Sequence, residues 1–238
     1  TEPGEKGTFQ EFGPRSYRDY IDEKLMSWSY VKFPFARSAG RLSLDPDNPE
    51  GVYRASSLAR INVCDHIPTP LAQKELLEFR ATVGRWSHHA FLQHWARLME
   101  VVYNAERALE LLDDPTITDS TVREKVVPSA GRGVGVVEAP RGTLIHDYEA
   151  DEKGLITKVN LIVGTTHNSA AINIDVFRTA RQVLEGGRSD EEALNRIEAT
   201  IRSYDPCFSC ATHQIDGSLP VRMEIVDSRG ETMRTVQN

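Results

Sequence analysis

The chain has 238 residues, 39% of them hydrophobic, and a net charge of -7 at neutral pH. That acidic balance argues against a nucleic-acid partner held by general electrostatics. No apolar run approaches the ~18–20 residues of a membrane span, and no basic stretch followed by an apolar one marks a secretory signal. Three cysteines are too few for a disulfide scaffold; they favour a reducing compartment, the cytoplasm, and metal or thiol chemistry.

The first seven residues are polar, lack an initiating Met and read as a loop or a cut point. Residues 14–29 predict a helix, with Tyr17, Tyr20, Ile21 and Leu25 at neighbouring or three-and-four spacings. The aromatic run from Tyr30 to Phe35 is buried packing, and Pro34 ends any helix. Residues 36–51, polar and rich in Pro and Gly, form a loop or surface arm. Cys64 and His66 invite a ligand reading, but a lone free cysteine is more often simply buried. Thr69-Pro70 opens a helix that stops at Gly84. The longest periodic segment is 87–113, where Leu92, Trp95, Met99, Val102, Ala105, Leu109 and Leu112 step by three or four and predict one core-facing stripe. His88, His89 and His94 lie on or beside it without the i,i+4 spacing of a helical metal site.

The character changes at Gly131-Arg132-Gly133-Val134-Gly135, which is glycine-rich and then β-branched. It lacks the Lys-Ser/Thr of a phosphate loop and reads as a strand needing close backbone approach. Residues 143–148 and 155–163 predict a hairpin around Asp151-Glu152-Lys153-Gly154. A helix over 167–184 ends at Gly186-Gly187. Ser189 and Glu192 form a capping box for a further helix that turns Leu194, Ile197 and Ile201 inward. The sum is an α+β architecture, mainly helical, with the 87–113 helix at its centre and a small sheet from residues 132–163.

That last helix delivers the chain to Asp205-Pro206-Cys207-Phe208-Ser209-Cys210-Ala211-Thr212-His213. Two thiolates on a tight turn can hold a metal from one side. The Cys-x-x-Cys pair alone is equally half a zinc site, a redox dithiol or a surface accident. The whole string resembles the C-terminal metal signature of nickel–iron hydrogenase large subunits. Two further strings fit in order: Glu138-Ala139-Pro140-Arg141-Gly142 matches a Glu-Ala-Pro-Arg-Gly segment of that family, and Val163-Gly164-Thr165-Thr166-His167-Asn168 resembles its Val-Pro-Ser-Thr-x-Asn segment. Ser29 to Pro34, and Tyr53-Arg54 through Pro70-Leu71-Ala72, resemble the cytoplasmic, cofactor-coupled branch, so the resemblance runs over nearly the whole chain.

The resemblance implies reversible hydrogen oxidation and proton reduction on a helical large-subunit core. Cys207 would be a terminal nickel ligand and Cys210 a thiolate bridging nickel and iron. The iron would carry carbon monoxide and cyanide. Anionic cyanide in a dry pocket needs donors: Arg141, with Pro140 beside it, would serve one and the Thr165 hydroxyl the other. His213 would lie near a Mg²⁺ or water site. Electrons would leave through an iron–sulfur small subunit to further acceptor subunits, because three cysteines cannot hold both a nickel site and a relay of clusters.

The family's other Cys-x-x-Cys pair, near its N-terminus, is absent, as is the glutamate given the proton-transfer role. The chain therefore reads as the C-terminal part of a large subunit, or a split or shortened one completed by its N-terminal part in trans. In this family a dedicated maturation protease often cuts after the motif's histidine. Residues 214–238 read as such a cleavable extension, or as the tail of a lineage that keeps it, with a hairpin around Ser228-Arg229-Gly230. Two alternatives stay open: a non-catalytic relative of the complex I quinone-site type, against which both cysteines argue, and a structural zinc module using Cys207, Cys210, His213 and a fourth ligand such as Cys64.

Overall fold

The computed structural model describes residues 10–187, 191–211 and 222–237. Pro14 opens the first element, but as a short 3-10 helix, Pro14–Asp19, and not as the long helix predicted over 14–29. Strand β1 (Ile21–Lys24) follows and pairs antiparallel with β2 (Phe33–Ala36), Ile21 opposite Ala36 and Lys24 opposite Phe33. Leu25, which the helical spacing assigned to a buried face, is 77% exposed. The strand wins because Phe33 and Phe35 are buried and bring a backbone partner with them, a partner that local periodicity cannot register. Pro34 lacks an N–H and is tolerated because this sheet has only two strands, so each has a free edge.

Three helices come next: α1 (Ser57–Val63), α2 (Pro70–Val83) and α3 (Leu92–Leu112). Helix α2 starts at Pro70 and stops at Gly84, φ +82°, as its sequence predicts. Thr69 makes no side-chain cap bond. Glu106 of α3 instead accepts from the N–H groups of Leu71 (2.9 Å) and Ala72 (3.0 Å), so a neighbouring helix caps α2. Leu58, Ile61, Leu76, Phe79, Ala96 and Met99 form the core between the three helices.

The predicted stripe on α3 holds only as far as Met99. Beyond it Val102 is half-buried and Glu106 still meets α2, but Leu109 and Leu112, past that contact, are each 67% exposed. Helix α3 therefore flanks the fold and does not centre it. Leu98 and Val101, also exposed, continue the uncovered apolar surface.

The predicted sheet is present. Strands β3 (Gly131–Ala139), β4 (Gly142–Ala150) and β5 (Ile156–Ile162) pair antiparallel in chain order. Gly154, φ +76°, closes the β4–β5 turn. The close backbone approach expected at the β3 glycines does not occur, since a Cβ on Gly133 or Gly135 would meet open space. The Tyr17 hydroxyl donates to the buried carboxylate of Asp147 on β4 (2.9 Å), which Arg132 also grips with two bonds of 2.8 Å. That carboxylate is held below the usual range, chiefly by the Arg132 bonds.

After β5 come α4 (Gly164–His167), α5 (Ser169–Glu185), α6 (Glu191–Ser203) and α7 (Phe208–Ala211). The capping box at Ser189 lies outside the described residues. Leu194 is exposed, against expectation, and α6 buries Ala193, Thr200 and Ser203. The Thr179 and Thr200 hydroxyls lie 3.0 Å apart, an approach of α5 and α6 that admits small residues between them and pushes Leu194 outward. Strands β6 (Arg222–Val226) and β7 (Thr232–Gln237) form the terminal hairpin. The chain is α+β and mainly helical, and among the described residues no helix is long and apolar enough to cross a membrane.

Candidate metal centre

Strands β3 and β4 are joined by two residues, Pro140 and Arg141, and Ala139 pairs directly with Gly142. Gly142 has φ +139°, and a Cβ there would lie 2.7 Å from the Ala55 carbonyl and 2.8 Å from that of Gly164. Only glycine lets this turn sit so close to the loop before α1 and to the start of α4. Asn168, at the junction of α4 and α5, ties the three together. Its side chain accepts from Ala55 N (2.9 Å) and donates to the carbonyls of Ala55 (2.6 Å) and Arg141 (3.1 Å). The helix predicted over 167–184 is α5, Ser169–Glu185, and Asn168 stands just before it.

Arg141 reaches from this turn to Asp205. Its Nε donates to the Asp205 carbonyl at 2.6 Å and lies 3.2 Å from the carboxylate. Asp205 is the one non-glycine residue with positive φ among the described residues, +49°, a region that Asp visits more readily than most residues. Its neighbours hold it there. Buried Tyr204 donates to Asp175 (2.5 Å) and accepts from Arg54 Nε (2.8 Å), while Arg97 donates to the Ser203 carbonyl (2.6 Å). Burial pushes the Tyr204 phenol up, so it stays protonated as a donor.

Pro206 then leads into the cysteine turn, where Cys207 N donates to Thr165 Oγ1 at 3.0 Å. That bond occupies Thr165 as an acceptor and leaves its hydroxyl proton to donate. Arg141 thus meets Asp205, two residues before the Cys207 that Thr165 holds, with Cys210 three residues on. Pro140 is exposed at the turn, and His213 lies outside the described residues. Sequence reasoning gave no role to Asp205, Asn168 or Arg60, although Asp205 opens the cysteine string and Asn168 closes the Val163–Asn168 string.

One expectation is corrected. Sulfurs ~4 Å apart would suit a shared metal with ~2.3 Å bonds, but Cys207 and Cys210 are joined in a disulfide. Their Cα atoms lie 5.3 Å apart, within disulfide range, as the first turn of a short helix dictates. Reduced by two electrons, the pair would present two soft thiolates. Among the described residues no three of His, Cys, Asp and Glu gather. Two soft donors flanked by a guanidinium and a hydroxyl fit one half of a four-thiolate nickel–iron group.

His167 is buried at the end of α4, its Nδ1 2.6 Å from the Tyr53 hydroxyl. Its Nε2 has no hydrogen-bond partner of ordinary geometry among the described residues. Burial drives its pKa down to about 4, only partly offset by the Thr143 carbonyl and Glu138. Being depressed below the ordinary ~6.5, it leaves stability intact above that pH and lowers it as pH falls towards 4, because the unfolded chain then binds the extra proton. Wild type should therefore lose about 3 kcal/mol relative to His167→Gln between pH 7 and 4. Denaturant titrations at both pH values measure this, and a pH-independent difference between the two proteins would refute it.

Comparison with known proteins gives one answer. Residues 63–213 match the Nickel-dependent hydrogenase family. The NAD-reducing hydrogenase HoxS subunit beta of Cupriavidus necator is 42% identical over 230 residues, 95% of this chain and 46% of that protein. The crystal structure of an NAD+-reducing nickel–iron hydrogenase in its hydrogen-reduced state superposes with a TM-score of 0.77 at 40% identity, over 86% of this chain and 44% of that one. The chain spans about half the length of the curated relatives it matches. It belongs to the nickel-dependent hydrogenase family and corresponds to the C-terminal part of the large subunit.

Proposed function

We propose that this chain supplies the C-terminal half of a nickel–iron site at which hydrogen is reversibly oxidised. The observation that carries the reading is the meeting of Arg141 and Asp205 beside the turn on which Thr165 holds Cys207. The bound group supplies the place where hydrogen is split into protons and electrons. Reduced Cys207 would be its terminal nickel ligand and Cys210 its bridging thiolate, two further ligands coming from the N-terminal part of the subunit in trans or in the same chain. Arg141 and Thr165 would donate to the anionic cyanide ligands of an iron that also carries carbon monoxide, with Pro140 shaping the turn. His213 would serve a Mg²⁺ or water site.

Partners follow from what is uncovered. Trp28 and Phe208 are more than half exposed and line an apolar cleft of about 220 Å³ beside Thr165 and Ala211. An iron–sulfur small subunit seated there would take up the electrons and pass them to acceptor subunits. Leu109 and Leu112 of α3, with Val137 and Val159 of the sheet, are surfaces for the rest of the large subunit. The cytoplasm suits a chain with so few cysteines. A structural zinc module would need a fourth ligand, from Cys64 or a distant His. Cys64 instead packs on the α1–α3 core, with the Arg80 guanidinium 2.5 Å from its carbonyl.

Metal analysis and infrared spectra of the assembled complex test the reading together. Nickel, iron and bands of metal-bound carbon monoxide and cyanide are expected, and zinc alone would overturn it. We also propose that residues 214–238, with the β6–β7 hairpin, are removed by a maturation protease after His213. Intact mass from nickel-replete cells should lack them, whereas a fully active subunit that keeps them would show a retained tail.

A further inference from the structure

Three consecutive carbonyls at the β3–β4 turn each accept a bond from a side chain far away in sequence. Arg60 of α1 donates through Nη1 to the Ala139 carbonyl (2.9 Å) and through Nη2 to that of Pro140 (3.0 Å). Asn168 donates to the next one, Arg141, at 3.1 Å. We propose that Arg60 and Asn168 are positioning residues that fix the Arg141 peptide, and so aim its guanidinium at Asp205 and the metal. The proposal rests on the reading of Arg141 given above.

Arg60 is itself braced. Glu100 of α3 holds it with both oxygens, Nε to Oε1 at 2.6 Å and Nη2 to Oε2 at 2.8 Å, and Ser57 donates to the same carboxylate at 2.6 Å. Glu138, one residue ahead of the clamped carbonyls, accepts from Arg60 Nη1 (2.9 Å) and from the Thr143 hydroxyl (2.6 Å). Arg60 thus joins the α1–α3 core to the turn, and Asn168 joins the turn to the α4 segment that meets the cysteines. A two-residue hairpin loop has few bonds of its own and tilts easily. Arg141 extends several bonds from it, so a small tilt displaces its tip widely. Only a fork of five donors can hold two carbonyls and two carboxylates at once; an ammonium cannot.

The test uses the complete hydrogenase complex carrying Arg60→Lys, which keeps the charge and removes the fork. The first readout is structural. In its crystal structure the Arg141 guanidinium should leave the Asp205 carbonyl, and an unmoved Arg141 overturns the proposal. The second is a double-mutant cycle. Arg60→Lys should lower hydrogen turnover up to ~100-fold with normal nickel content, the scale of a small misplacement. In an Arg141→Lys background it should cost nothing more; an equal loss in both backgrounds overturns the proposal. If Arg141→Lys alone leaves turnover unchanged while Arg60→Lys still shifts the guanidinium, the clamp stands and the role given to Arg141 falls. Should the Arg60→Lys complex not assemble, Glu100→Gln, which loosens the brace and leaves Arg60 in place, must displace Arg141 in the same direction or the proposal fails.

Discussion

Cys207→Ala and Cys210→Ala should each abolish both nickel retention and hydrogen turnover in the assembled complex. Only these two cysteines sit at the turn beside Thr165; Cys64 packs against the α1–α3 core. Losing either one leaves a single soft donor on this half of the site. A metal ligand works as part of one unit with its fellow ligands, so the loss should be roughly 10⁴-fold or more and should not add between the two variants. Serine is no substitute at either position, because its hydroxyl is a hard donor that remains protonated where a thiol ionises. Nickel analysis and dye-linked hydrogen oxidation read the two effects separately. Nickel retained at wild-type stoichiometry in either variant would remove that cysteine from the ligand set.

Arg141→Lys should leave nickel in place and lower turnover by about 10²–10³-fold, the range found when one preorganised donor is taken from a charge-stabilising site. The guanidinium holds the Asp205 carbonyl and carboxylate through Nε and Nη2. A lysine ammonium is a point charge on a flexible stem and cannot keep Asp205 while also facing the metal. With both side chains about two-fifths exposed, the ion pair adds less than about 1 kcal/mol to stability. The variant should therefore melt close to wild type, which separates lost chemistry from lost fold. A turnover unchanged within twofold would show that Arg141 does not act at the metal.

What the sequence could say depended on how local each signal was. The boundaries of α2 were legible because Pro70 and Gly84 act on their own backbone. The β4–β5 hairpin was legible for the same reason, its turn lying in four adjacent residues. The cysteine string was legible because the family's signature fixes both residue type and spacing over a few positions. The helix expected over 14–29 failed where a strand partner entered from residues 33–36. Leu194 failed where α5 came close enough to admit only small neighbours.

The sequence by itself thus determined the family, the cysteine pair and the two segments that meet it. It also carried the acidic, mainly helical character of the chain. Tertiary structure alone decided that Arg141 meets Asp205, that Arg60 and Asn168 hold three carbonyls of one turn, and that the far end of α3 stays uncovered. The first two are contacts between segments tens of residues apart. Such contacts arise only when α1, the β3–β4 turn, α4 and α7 converge, and no period or local motif encodes that convergence.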